Sequence, residues 1–338
     1  MSSVLGNKVK LSVFGESHGR AIGCVIDGLP AGIQLDFDKI NREMARRAPG
    51  KDKTATARKE SDTPHILSGL LDGITTGAPL AMVIENTNTR SGDYGNLMTV
   101  PRPGHSDYPA YIRYGGNNDI RGGGHFSGRL TAPVVFAGAV AKQILEQQGI
   151  AVGAHIKQIG NVCDSSFDKN NIRADFLHSI SEKPFAVINS DIESEMRAFV
   201  EQARLSGDSA GGSIECAAAG VPAGLGGNMF DTVESRLSSA LFGVPAVKGV
   251  QFGEGFGFSE MLGSEANDGY EIKNGAPLVF SVAVKPTPSI SKPQQSVNLQ
   301  TMENEMLFVK GRHDPCIVPR AVPVIEAVTA FVLLDLMM

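Results

Sequence analysis

Lys8-Val-Lys-Leu-Ser-Val-Phe-Gly-Glu-Ser-His-Gly-Arg-Ala-Ile-Gly-Cys-Val-Ile-Asp27 consists of two strand-like runs around a polar turn. Residues 8–14 roughly alternate and residues 21–27 are again strand-like, which predicts antiparallel strands joined by a loop at Gly15–Arg20. Downstream the period changes. Asp38–Arg47 reads as a short helix stopped by Pro49-Gly50, strands follow at Ile66–Leu71 and Leu80–Glu85, and an apolar helix runs from about Leu130 to Gln147 with Pro133 in its first turn. In the second half, strands are expected near His155–Ile159, Ser213–Ala218 and Leu278–Val284. Helices are expected near Ile192–Leu205 and Asp231–Phe242, and a last one from Val322 to about Asp335. Strands come in pairs with helices in between, not in βαβ alternation, which predicts an α+β fold. Asn86–Asn118 reads as one long polar loop, a length that is uncommon unless it serves function.

A chain of 338 residues with 42% hydrophobic content can bury a large core, in one elaborate domain or two intimate halves. The net charge of −5 gives no global argument for binding nucleic acid or membrane, so anion binding would have to be local. Cys24, Cys163, Cys216 and Cys316 are scattered with no CxxC pair, which argues against a metal site or a disulfide framework. Met1–Lys10 has no apolar leader, and the apolar run Ala327–Met338 is interrupted by Asp335 and too short to span a bilayer. A cytoplasmic location is the expectation.

Several segments could carry chemistry. Gly15-Glu16-Ser17-His18-Gly19 matches the GxSxG of hydrolase nucleophile elbows, but a strand-like run follows it where that elbow needs a helix. A loop exposing Ser17 and His18 suits anion contact or proton transfer instead. Between Arg42 and Glu60 there are seven basic residues against three acidic ones, a local excess on an acidic protein; it is either a solvated face or a clamp for a polyanion, with Arg47 the candidate for bidentate contacts. In Pro101-Arg102-Pro103-Gly104-His105 the prolines stiffen the backbone, so Arg102 and His105 are held. Arg121-Gly-Gly-Gly124 precedes a helix, where backbone N–H groups and the helix dipole can face an anion. Lys285-Pro-Thr-Pro-Ser289 ends a strand and can wall a flat ligand, and Arg312-His-Asp314-Pro-Cys316 forms a last polar cluster.

In this order and at these spacings the chain resembles chorismate synthase, from Gly6 to the C-terminal helix. The specific pieces are Gly-Glu-Ser-His-Gly at 15–19, Arg-Pro-Gly-His at 102–105, Lys-Pro-Thr-Pro-Ser-Ile-Ser-Lys-Pro-Gln at 285–294 and Gly-Arg-His-Asp-Pro-Cys at 311–316. The resemblance implies a helical layer sandwiched between antiparallel β-sheets, in a single domain over 1–338 that is internally pseudo-duplicated, and a homotetramer. It implies the substrate 5-enolpyruvylshikimate 3-phosphate, which loses phosphate and a C6 hydrogen by 1,4-anti elimination in the shikimate pathway. It implies reduced FMN as cofactor, with no net redox change.

By position, the resemblance makes His18, His105 and Asp314 catalytic. Arg47, Arg102, Arg129, Arg312 and Ser17 become substrate contacts, and His125, Phe126, Ser127, Ala246, Lys285, Thr287, Ser289 and Arg312 cofactor contacts. The chain departs from the family in two places. His125-Phe126-Ser127-Gly128-Arg129 stands where Arg-Ser-Ser-Ala-Arg is frequent, and the segment Ser264–Lys273 is shorter than the Asn- and Gly-rich loop of many relatives. No dinucleotide fingerprint is present, so the reductant, NADPH-dependent or not, is expected to be external. The alternatives are a non-catalytic flavin- or anion-binding relative, against which His18, His105 and Asp314 argue, and a serine hydrolase.

Overall fold

A computed structural model of the chain describes residues 3–50, 62–87, 91–267, 269, 276–309 and 314–338. The first half supplies strands β1 (Val4–Leu5), β2 (Lys10–Gly15), β3 (Ala21–Asp27), β4 (His65–Ser68), a small hairpin of β5 (Leu70–Leu71) and β6 (Ile74–Thr75), and β7 (Leu80–Glu85). Its helices are α1 (Phe37–Arg47), α2 (Asp107–Tyr114) and α3 (Thr131–Glu146). The second half supplies β8 (Ala151–Ile159), β9 (Val162–Cys163), β10 (Gly212–Val221), β11 (Val247–Phe252), β12 (Ala276–Val284) and a hairpin of β13 (Gln294–Asn298) and β14 (Glu303–Leu307). Its helices are α4 (Ala174–Ser181), α5 (Ile192–Leu205), α6 (Val233–Phe242), α7 (Gly263–Ala266) and α8 (Val318–Met337).

Two five-stranded antiparallel sheets result, ordered β1-β2-β3-β7-β4 and β11-β12-β10-β8-β9. The opening stretch forms the expected pair, with Lys10 opposite Asp27 and Gly15 opposite Ile22. The helices α3 and α8 are apolar on nearly every side and lie between the sheets, α3 against β2, β3 and β7, and α8 against β8 and β10. They touch each other closely: a Cβ on Gly138 would lie 2.2 Å from the Cβ of Ala327, so only glycine permits this approach. The α+β sandwich is the architecture expected from the sequence.

An ionic cluster ties the central helices together. Glu326 of α8 is wholly buried and accepts from Arg46 of α1 (2.5 and 2.7 Å), from Lys142 of α3 (2.5 Å) and from the Ala154 amide of β8 (3.0 Å). Burial alone would push its carboxyl up, but the charges of Arg46 and Lys142 outweigh burial and hold it well below the usual glutamate value. Arg46 therefore belongs to the core, not to an anion clamp, and the basic residues between 51 and 59 lie outside the described residues.

Two expectations change. The long loop 86–118 contains α2 and a 3₁₀ turn at Ser91–Met98. The signals for α2 were present in Asp107 and Pro109 of its first turn and in Gly115, which ends it with φ 58°, but eight residues are too few for a clear apolar period. Helix α8 begins at Val318, not Val322. Pro319 sits in its first turn at no cost, and Pro323 is tolerated inside it. The helix α4 packs on β8 where Gly153 comes close to Leu177, covering the outer face of the second sheet.

Candidate active site

The turn between β2 and β3 carries Ser17 and His18, and its backbone is pinned. Asn86 Nδ2 donates to the Glu16 and Gly19 carbonyls at 3.0 and 2.9 Å, and the Ser17 amide donates to the Gly124 carbonyl at 3.1 Å. That last bond brings in the glycine triplet. Gly122, Gly123 and Gly124 all have positive φ, of 61°, 86° and 54°. A Cβ on Gly122 would stand 2.5 Å from His18 Cδ2 and 2.7 Å from Ser17 Oγ; one on Gly123 would stand 3.2 Å from His105 Cε1. The two histidines thus pack against consecutive glycines. The triplet does not open α3, from which a 3₁₀ turn at Gly128–Leu130 separates it; it is the spacer between His18 and His105.

His105 and Arg102 share a carboxylate that the sequence reading had not singled out. Asp107, in the first turn of α2, lies 2.6 Å from His105 Nδ1 and accepts from Arg102 Nε at 2.7 Å, Nη2 at 2.9 Å and the Arg102 amide at 3.1 Å. Burial would raise its pKa, but the hydrogen bonds from Arg102 and His105 outweigh burial and hold it far below the carboxylate range. Arg102 Nη1 also donates to Ser289 Oγ at 3.1 Å, so this predicted cofactor residue positions an arginine. By contrast His155 is closed inside the second sheet between Asp164 and Glu215 and is a core histidine.

These loops border a cavity of about 880 Å³, near the top of the range for small-molecule sites. Of the predicted residues, Arg47, Arg102, His105, Arg129 and Asp314 line it. So do His125, Phe126, Ser127, Ala246, Lys285, Thr287 and Ser289. Ser17 and His18 are not in the wall but pack against Gly122, which is. Arg312 lies outside the described residues, as does most of the short loop after α7.

The predicted arginines are not bare. Asp62 is buried between Arg47 (2.5 Å) and Arg129, with Arg47 also donating to Thr131 Oγ1 (3.2 Å) and the Gly128 carbonyl (3.1 Å). Burial, with Arg320 and Arg129 nearby, pulls Arg47 down to about 10 against the pull of Asp62, which leaves it charged at neutral pH. Asp314 pairs with Arg320, whose Nε donates to the Arg47 carbonyl at 3.0 Å. Asp62, Asp107 and Arg320 are the site residues that sequence reasoning missed, and Gly122, expected in an anion-facing turn, instead packs on His18.

Two buried hydroxyls, Ser17 Oγ and Thr287 Oγ1, have no hydrogen-bond partner among the described residues. A buried unpaired hydroxyl costs about 1–3 kcal/mol, so both are suited to a ligand. Ala246 adopts φ 74°, a left-handed conformation rare for a residue with a side chain, and its carbonyl accepts from the Lys285 amide at 2.9 Å. Lys285 is lowered, first by burial and then by the charge of Lys248. His125 is more committed than expected: its Nδ1 meets the Gly15 carbonyl and its Nε2 Ser3 Oγ, both at 2.8 Å, leaving the ring itself to face a ligand. Ser127 Oγ accepts from the Arg129 amide at 3.3 Å and so caps the 3₁₀ turn. Among the described residues, six lysines and arginines line the cavity against the single carboxylate of Asp314, a wall built for an anion.

The family model for chorismate synthase matches residues 9–338. The chorismate synthases of Thermococcus kodakarensis and Korarchaeum cryptofilum are 46% and 43% identical, over 98% of this chain and 96% of each relative. A crystal structure of chorismate synthase superposes with a TM-score of 0.74 at 27% identity, covering 98% of this chain and 92% of that one. The sandwich is thus that of a known lineage, and this chain belongs to the chorismate synthase family.

Proposed function

We propose that this chain converts 5-enolpyruvylshikimate 3-phosphate to chorismate, expelling phosphate and a C6 hydrogen, with reduced FMN bound in the same cavity. The observation that carries this reading is the placement of His18 and His105 against consecutive glycines beside a wall bearing Arg47, Arg102 and Arg129. A substrate with two carboxylates and a phosphate needs several guanidinium forks, and the departing phosphate needs positive charge where it leaves. Because Asp62 takes part of the charge of Arg47 and Arg129, the substrate's anions would share that pair with it. His18 and His105 serve as proton donors, one toward the leaving phosphate and one toward the cofactor. Ser17 is a polar substrate contact beside His18, not a nucleophile.

Reduced FMN supplies electron density that helps the phosphate leave, with no net oxidation. The residues present fit such a group: the unpartnered Thr287 hydroxyl, the left-handed Ala246 and the cationic Lys285 all line the cavity, as does the aromatic Phe126. Asp314, held by Arg320, is the fixed anion that would assist removal of the C6 hydrogen. The reductant is external. The reading includes a single, internally duplicated domain, each half giving one sheet and one long apolar helix, and a cytoplasmic homotetramer. The exposed Phe230, Phe256 and Met302 support assembly. Among the described residues no helix is long and apolar enough to cross a membrane.

Anaerobic turnover of the phosphorylated substrate, with and without reduced FMN, tests the reading. Phosphate release only with reduced FMN is the expected result; binding of both ligands without release would mark a non-catalytic relative. Two variants refine it. Gly122→Ala combines a strained φ with a methyl driven into His18, and a displacement of about 1 Å can cost ~10²-fold in rate, so turnover should fall by about that much. Unchanged turnover would show that His18 need not sit where it does. Asp314→Asn should slow turnover at least about tenfold, or ~1.4 kcal/mol, with substrate and FMN affinities within a few-fold. Wild-type turnover would reduce Asp314 to a turn residue.

A further inference from the structure

Asp107 touches both an arginine and a histidine of the site, and its geometry decides which nitrogen of His105 can exchange a proton. His105 Nδ1 has two neighbours, Asp107 Oδ1 at 2.6 Å and Arg102 Nη2 at 3.3 Å. A guanidinium only donates and an ionised carboxylate only accepts, so Nδ1 cannot satisfy both. The shorter contact decides. Arg102 Nη2 already has Oδ1 at 2.9 Å, and the carboxylate is kept ionised by the Arg102 fork and by its place in the first turn of α2. Nδ1 therefore carries the hydrogen and donates it to Asp107. The ring lines the cavity, and no described residue hydrogen-bonds its Nε2, which lies beside Gly123.

We infer that Asp107 is a positioning residue for the reaction: it fixes His105 in the Nδ1–H tautomer, so that Nε2 is the nitrogen that gives and takes the proton. The same carboxylate orients Arg102, so one buried group aligns a proton donor and an anion clamp. Asp107 touches no reacting atom itself. The inference rests on His105 being a proton-transfer group, as proposed above.

The test uses the full chain as wild type, His105→Gln, Asp107→Asn and the double variant. Imidazole ¹⁵N shifts of the ligand-free protein report the tautomer of neutral His105 without reference to activity. Wild type should show the Nδ1–H form, and Asp107→Asn should lose it, because the asparagine amide can donate to Nδ1. With reduced FMN saturating, Asp107→Asn should lower kcat by about 10²-fold or more, yet by less than about threefold when His105 is already glutamine. A rise in KM through Arg102 should persist in both backgrounds.

An Nδ1-bare tautomer in wild type overturns the inference even if Asp107→Asn does not fold. So does a kcat loss that stays undiminished in the His105→Gln background, since it would run through Arg102 alone. Wild-type kcat in His105→Gln with the expected tautomer intact would instead overturn the role of His105, a failure the shifts distinguish from that of Asp107.

Discussion

His18→Ala is expected to slow turnover by about two to four orders of magnitude, the scale of a general acid–base group, without unfolding the protein. His18 is 8% exposed, in a turn whose backbone is held by Asn86 and by the Gly124 carbonyl. The β2–β3 pairing on either side should survive its loss. Gly122 lies so close to the ring that a Cβ there would stand 2.5 Å from His18 Cδ2. Turnover under saturating substrate and reduced FMN, with circular dichroism to confirm the fold, checks this. Near-normal turnover would end the assignment of His18 to proton transfer.

Glu326→Ala should destabilise the protein by about 3 kcal/mol, the low end for a broken buried ion pair, because it leaves the buried charges of Arg46 and Lys142 sharing Glu43, at 2.8 and 3.1 Å, in place of two carboxylates. The active site should keep its ligands as long as the protein is folded, since Glu326 does not line the cavity. Urea titration should show a lower midpoint with an unchanged slope. A loss below about 1 kcal/mol would mean that water or rearrangement relieves the two cations. The same group carries a pH signature. Its folded pKa lies below the unfolded value of 4.5, so its stabilisation is complete above that value and is lost as pH falls through the folded pKa. Wild type should therefore lose stability on acidification, and Glu326→Ala should lose less over the same range.

Both predictions concern residues far apart in the chain, and they divide what was legible from what was not. Helix α5 (Ile192–Leu205) and strand β7 (Leu80–Glu85) fall where the sequence reading placed them, because apolar periodicity is a local property of the segment. Helix α2 was hidden because its eight residues mix tyrosines, a proline and charges without a dominant face. The β13–β14 hairpin was hidden for a similar reason: Val297 is the sole apolar residue of β13, and β14 is exposed at all but Leu307, so no apolar alternation marks them.

The site divides in the same way. Motifs pointed to His18, Arg102, His105, Lys285, Thr287 and Asp314, and the structure brings all but His18 to the wall of one cavity and packs His18 against Gly122 of that wall. What the motifs could not express was the partner of each charge. Arg46 and Arg47 are adjacent in sequence and on one helix, yet Arg46 enters the core to meet Glu326 while Arg47 meets Asp62 at the cavity. The 100° step between neighbouring helical residues separates them, and only the packing of α8 and the position of Asp62 decide which carboxylate each finds.

The sequence by itself determined the strand pair around residues 15–20, the alternation of paired strands with apolar helices, and the residue types the chemistry requires. These follow from local periodicity, turn chemistry and the charge of individual side chains. Only the tertiary structure decided that Gly122 and Gly123 hold His18 and His105 apart, that Asp62 and Asp107 share the arginines, and that Arg320 grips Asp314. The physical reason is that hydrogen bonds and ion pairs act over about 3 Å in space regardless of chain separation, and that distance is set by the packing of the two sheets on α3 and α8.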